Sequence, residues 1–161
     1  MWYNYSIQWY NYSIQLIFLS IRARAVSVMG GGVKLDIKIK EISNDALAYL
    51  GDSVLEIRAR ELLVRQGISG SGNLNKASLS YVKATEQAAA MMKIIPLLSE
   101  EEEAVYKRGR NMSGGNVPKS AKVSEYRIAT GMEVLFGYLH LCGRTERIDE
   151  LFAKAYSKEE N

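Results

Sequence analysis

The chain has 161 residues, 47% of them hydrophobic and 24% charged, a composition that excludes a disordered polypeptide and suits one domain with a proper core. One cysteine, Cys142, excludes an internal disulfide and fits a reducing compartment, and one histidine, His140, excludes multi-histidine metal sites. Any metal chemistry must then rest on carboxylates, which favours hard ions such as magnesium or manganese. The formal net charge is only +3 and is unevenly spread. Between Lys107 and Arg127, the cations Lys107, Arg108, Arg110, Lys119, Lys122 and Arg127 face Glu125 alone. A local basic segment on a near-neutral chain points to a defined anionic partner.

In chain order, the first feature is a perfect tandem heptad, WYNYSIQ, at Trp2–Gln8 and again at Trp9–Gln15. Two copies are too few for a repeat fold, and the heptad lacks the paired apolar positions of a coiled coil. Gln15–Ile21 (QLIFLSI) is too short to span a bilayer, and its arginines, Arg22 and Arg24, follow it where a signal peptide would have them precede. Residues 1–32 therefore read as a disordered or loosely packed extension ending in Gly30–Gly32, with Met29 as a plausible working start. Residues 33–161 read as the domain.

Asn44–Arg60 (NDALAYLGDSVLEIRAR) has Leu47, Leu50, Val54, Leu55 and Ile57 at the three- and four-residue spacing of a buried helix face. Ser43 or Asn44 can cap this helix, and Gly67 ends it after about Gln66. Asp45, Asp52 and Glu56, at spacings of seven and four, fall on one side of it. Either this is a solvated acidic face, or the carboxylates act together. Gly51 lowers helix propensity by ~1 kcal/mol, which is understandable where another backbone or a ligand comes close.

A second helix is expected over Leu74–Lys93, rich in small residues, with Pro96 beyond it. Ser99 with Glu102 makes a capping box, and the run Glu100–Glu103 complements the helix dipole, so that charge run is structural. This helix carries Val105 and Tyr106 inward and ends near Arg110. The loop RNMSGGNVPKSAK follows, then a long helix Glu125–Cys142 capped by Ser124 and stopped by Gly143, then a last helix over Thr145–Tyr156. No alternating pattern appears after Ile39, so the fold class is all-α. Glu133 lies among Met132, Leu135 and Phe136, where a carboxylate stays only if paired, with Arg127 or another base, or metal-bound.

Two of these stretches carry a family resemblance. LGDSVLE at Leu50–Glu56 resembles the signature helix of ribonuclease III, and Tyr126–Leu141 (YRIATGMEVLFGYLHL) resembles the second motif of that family. From about Ile42 to Phe152 the chain resembles the dwarf bacterial branch, the Mini-ribonuclease III proteins. The resemblance implies a ribonuclease III-type helical endonuclease domain that hydrolyses double-stranded RNA and leaves 5′-phosphate and 3′-hydroxyl ends. It assigns Asp52 and Glu133 as catalytic metal ligands for magnesium, with manganese as a substitute. Asp45 stands where full-length ribonuclease III has a glutamate and is a further metal candidate. Ala48 and Thr130 replace two more of its carboxylates, a leaner set that the Mini branch shares and that implies weaker metal binding completed by RNA.

Lys107-Arg108-Gly109-Arg110-Asn111 and Pro118-Lys119-Ser120-Ala121 resemble the RGRN and PKNA elements of the Mini branch. They assign RNA contact to Lys107, Arg108, Arg110, Asn111 and Lys119, with Lys76 a weaker candidate beside Asn75. Cations at a helix C-terminus also suit the dipole, but that explains neither Lys119 nor Lys122. Tyr49 stands where the family has an aromatic residue reaching into a partner subunit, which implies a homodimer; a core role for Tyr49 is equally compatible with the sequence. No separate double-stranded-RNA-binding domain is expected, so affinity would rest on the catalytic domain. The implied substrate is the precursor of 23S ribosomal RNA, in the cytoplasm and with no membrane association. The alternative is a non-catalytic RNA-binding or ribosome-assembly module on the same fold, favoured by the losses at Ala48 and Thr130 and opposed by the retention of Asp52 and Glu133.

Overall fold

The structure is a computed structural model that describes residues 39–112 and 121–157, and the expected boundary at residues 32 and 33 lies outside them. Among the described residues there are no strands, in agreement with the all-α expectation. The α-helices are α1 (Asn44–Arg65), α2 (Ser71–Val82), α3 (Ala84–Ile94), α4 (Glu100–Arg110), α5 (Val123–Leu141) and α6 (Thr145–Ala155). Short 3-10 turns cover Ile39–Glu41 and Ile95–Leu97.

Helix α5 is the axis of the domain, with α1, α3, α4 and α6 packed around it. Its residues explain why. Met132, Val134, Leu135, Phe136 and Leu139 are fully buried and point in all directions around the helix, the pattern of a helix enclosed by others. Each such side chain contributes about 1.5–3 kcal/mol by leaving water. Leu47, Leu55, Met91, Ile148 and Leu151 supply the facing surfaces from α1, α3 and α6.

Two glycine notches let helices meet α5 at backbone distance. A Cβ on Gly51 would lie 1.8 Å from the Glu133 carbonyl oxygen, and a Cβ on Gly137 would lie 2.1 Å from that of Leu47. The close approach expected at Gly51 is thus to another backbone. On the other side, a Cβ on Gly109 of α4 would come within 2.7 Å of the Val134 Cβ.

Ser43 caps α1, its hydroxyl accepting from the Ala46 N–H at 3.2 Å, and Gly67 follows the helix end at φ 75°. The capping box at Ser99 and Glu102 is present. Its glutamates do more than answer the dipole. Glu102, 3% exposed, accepts from the Arg147 guanidinium at 2.9 and 3.0 Å, and Glu101 accepts from the Tyr138 hydroxyl and from Arg144. These bonds tie the start of α4 to α5 and α6.

Three boundary and face expectations need correcting. The single helix over Leu74–Lys93 is two helices, broken where Lys83 turns extended (φ −72°, ψ 139°). The break lets α2 lie on α1 while α3 turns beneath α5 and α6, which one straight helix could not do. Ser124 is not the cap of α5; that helix begins at Val123, and the Glu125 carboxylate accepts from the Lys122 N–H at 2.8 Å. Ile57 is not on the buried face of α1 but 54% exposed, whereas Ala59 and Leu63 are buried.

Candidate active site

The Gly51–Gly137 crossing sets the site. Because Gly51 rides on the carbonyl of Glu133, the next residue of α1, Asp52, is brought beside the Glu133 carboxylate. Two carboxylates far apart in sequence therefore meet through a contact between two backbones.

Their electrostatics report the meeting. Burial pushes the Glu133 carboxyl up to about 7, and the negative charge of Asp52 adds to the shift. Asp52 lies at the open edge of the site, and its carboxyl is also raised, first by partial burial and then by Glu56. Glu56 is itself held by Arg60 at 2.6 Å. Among the described residues, no arginine, lysine or histidine pairs with Asp52 or Glu133. The partnership of Glu133 with Arg127 is absent, and Arg127 is exposed. A half-buried carboxylate within electrostatic reach of a second one, with no cation partner among the described residues, is a donor set of hard oxygens that fits a divalent ion.

The other carboxylate candidates do not join them. Asp45 is exposed in the first turn of α1, and no three acidic, histidine or cysteine side chains gather into a metal-holding group among the described residues. Thr130, where full-length ribonuclease III has an aspartate, turns its hydroxyl onto the Tyr126 carbonyl of its own helix at 3.1 Å. Ala48 packs against the core. His140 is exposed and Cys142 is half-buried against the core, so neither is part of the site.

The basic residues divide by how they are held. Lys107 is paired with Glu103 at 2.7 Å, and the Arg110 guanidinium lies over the Tyr106 ring at 5.7 Å while Nε donates to Asn111 Oδ1 at 3.3 Å. Asn111 is exposed and caps α4. The Arg108 side chain is exposed and has no partner among the described residues. Lys76 is exposed on α2, which packs on α1 and α3 and so stands apart from the end of α4. Lys119 lies outside the described residues.

Tyr49 is not a core residue: it is 82% exposed, with Ile57 at 54% and Val64 at 64% along the same helix. A cavity of about 670 Å³ between α1, α2 and α6, lined by Leu62, Arg65, Tyr81, Phe152 and Tyr156 among others, contains neither Asp52 nor Glu133. The sequence reading missed two participants, Gly137 and Asn44. Gly137 had a signal, a glycine within a buried apolar helix. Asn44, read only as a possible cap, donates from Nδ2 to the Arg108 carbonyl at 3.4 Å.

The Ribonuclease III domain family matches residues 45–144. The chain is 45% identical over 109 residues to the Mini-ribonuclease 3 of Symbiobacterium thermophilum, covering 68% of this chain and 84% of that one. It is 44% identical over 114 residues to the Mini-ribonuclease 3 of Enterococcus faecalis, covering 70% and 86%. A crystal structure of a protein from Fusobacterium nucleatum superposes with a TM-score of 0.65 at 32% identity, over 71% of this chain and 91% of that one.

Proposed function

The chain belongs to the ribonuclease III family, and within it to the Mini-ribonuclease 3 group, and is an endoribonuclease; on that premise we propose that it cleaves double-stranded RNA with magnesium held by Asp52 and Glu133. The observation that carries this reading is the pair of carboxylates brought into electrostatic reach by the Gly51–Glu133 backbone contact, with no cation partner among the described residues. Manganese, a hard ion of the same ligand preference, would substitute.

When bound, the metal supplies Lewis acidity at the scissile phosphate and makes water a competent nucleophile near neutral pH. The protein's own groups do the rest. Glu133 must release its proton to act as a ligand, so protons compete with the metal for a carboxyl that burial and Asp52 raise. Asp52, at the open edge, and Glu133, deeper on α5, would be the two residues to hold the ion. The exposed Arg108 contacts a backbone phosphate, with Lys107, Arg110 and Asn111 beside it on the end of α4 and Lys119 further along the sequence. Lys76, on α2, serves a more distant phosphate. Double-helical RNA offers little readable sequence in its deep groove, so recognition is by shape, phosphates and 2′-hydroxyls. The products carry 5′-phosphates and 3′-hydroxyls.

Asp45 supports the start of α1 through the helix dipole and reaches the metal only through RNA or solvent. The exposed apolar stripe of Tyr49, Ile57 and Val64 supports a homodimer through α1, which would set two sites along one duplex. Our reading of the substrate is the precursor of 23S ribosomal RNA, processed in the cytoplasm. No helix among the described residues is long and apolar enough to cross a membrane.

The test uses an end-labelled RNA duplex and wild type, Asp52→Asn and Glu133→Gln, each with magnesium and with a chelator. Cleavage by wild type alone and only with magnesium is expected, with all three proteins binding the duplex in the chelator. Wild-type cleavage rates in either variant, or undiminished cleavage in the chelator, would refute the assignment.

A further inference from the structure

The last carbonyls of a helix have no partners within it and must find donors elsewhere. At the end of α4 the described residues show where two of these carbonyls go. The Lys107 carbonyl accepts from the Asn111 N–H at 3.0 Å, and the Gly109 carbonyl accepts from the Met112 N–H at 3.0 Å. Among the described residues the Arg108 carbonyl between them receives no backbone donor, because Met112 closes a tighter turn onto Gly109. Its donor comes from another helix: Asn44 Nδ2, at the first position of α1.

This bond spans 64 positions of sequence and joins the end of α4 to α1, a pair of helices that otherwise touch little. The opposite side of the same turn is pressed onto α5, where Gly109 admits Val134. The turn that presents Arg108 is therefore held from both sides, by α1 through Asn44 and by α5 through Gly109. Those are the two helices that carry Asp52 and Glu133. Lys107 and Arg110 are occupied by Glu103 and Tyr106, so Arg108 is the cation of this turn left to meet an external anion.

From this we infer that Asn44 is a positioning residue: it fixes the backbone of Arg108 relative to the carboxylate pair, so that one phosphate of the duplex is set in register with the site. The inference rests on the proposed phosphate contact of Arg108. Asn44 itself touches no RNA.

A double-mutant cycle separates the two ideas. Asn44→Ala, Arg108→Ala and the double variant are compared with wild type for duplex RNA binding in a chelator across a salt series, at a temperature where melting curves show each folded. Alanine is the best helix former, so α1 keeps its propensity in Asn44→Ala. Arg108→Ala should weaken binding about 5-fold and make the log–log salt slope shallower by about one. Asn44→Ala should weaken it about 3-fold in the wild-type background and less than about 1.5-fold in the Arg108→Ala background, since coupled residues are not additive. Equal effects of Asn44→Ala in both backgrounds, or none in wild type, would overturn the positioning role while leaving Arg108 in place. No effect of Arg108→Ala on affinity or slope would overturn the phosphate contact itself, and the positioning role with it. If Asn44→Ala does not fold, Asn44→Ser, polar at the helix start but too short to reach Arg108, takes its place under the same criteria.

Discussion

Glu133→Gln should make the metal-free protein more stable, and by an amount that depends on pH. In the folded chain the Glu133 carboxyl is raised from 4.5 to about 7 by burial and by Asp52. The native state therefore holds this proton more tightly than the unfolded state does. Its contribution to stability is fully present below about pH 4.5 and is lost as the pH rises toward 7, where the native carboxyl must ionise beside another. Glutamine keeps the shape and removes the charge. At pH 8 the variant should then exceed wild type by about 2–3 kcal/mol, from a carboxyl raised to about 7 and about 1.4 kcal/mol for each tenfold change in proton affinity, with some allowance for solvent at the open edge. At about 3 °C per kcal/mol for a domain of this size, Tm should rise by about 6–9 °C. By pH 5 the gap should shrink below about 1 kcal/mol. Thermal melts of both proteins in a chelator, from pH 5 to pH 8, check this directly. Equal Tm at pH 8, or a gap that stays constant down to pH 5, would refute the picture of a desolvated carboxylate opposed to Asp52.

Magnesium should raise the Tm of wild type at pH 8 and leave Glu133→Gln nearly unmoved, since only the native pair of carboxylates offers the site; equal shifts in the two would count against it. Gly51→Ala should remove more than about 3 kcal/mol of stability in urea denaturation, because its Cβ would meet a backbone carbonyl at 1.8 Å, whereas Gly72→Ala, with open space around it, should change stability by less than about 1 kcal/mol. Arg147→Ala should lose about 3–4 kcal/mol by leaving Glu102 buried and unpaired, and its loss should shrink in Glu102→Gln. Tyr49→Asp should shift a dimer to monomer in sedimentation velocity without lowering the monomer's secondary structure, as the ring is 82% exposed.

The helical class, a cap at Ser43 or Asn44, the capping box at Ser99 and the oddity of Glu133 in an apolar run were legible in the chain itself. Each depends on neighbours a few positions away: apolar spacing along a helix, a hydroxyl three residues before a donor, a lone carboxylate in an apolar run. The break at Lys83 was not legible, because no glycine or proline marks it and its cause is the different partners of α2 and α3. Ile57 was misassigned for a related reason. Helix α1 has apolar residues on two faces, one for α5 and one left exposed, and spacing alone cannot tell which is inward.

The sequence by itself determined that this chain is helical, that any metal chemistry in it would rest on carboxylates, and that a basic segment accompanies them. Only the tertiary structure decided that Gly51 is a backbone notch rather than a ligand contact, and that this notch carries Asp52 to Glu133 while Asp45 remains apart. It alone showed that Arg108 has no side-chain partner among the described residues and that its carbonyl accepts from Asn44. The physical reason is range. Propensity and capping act within one turn of chain, whereas the approach of two carboxylates depends on how closely two helices pack, and packing is settled by every side chain of the core at once.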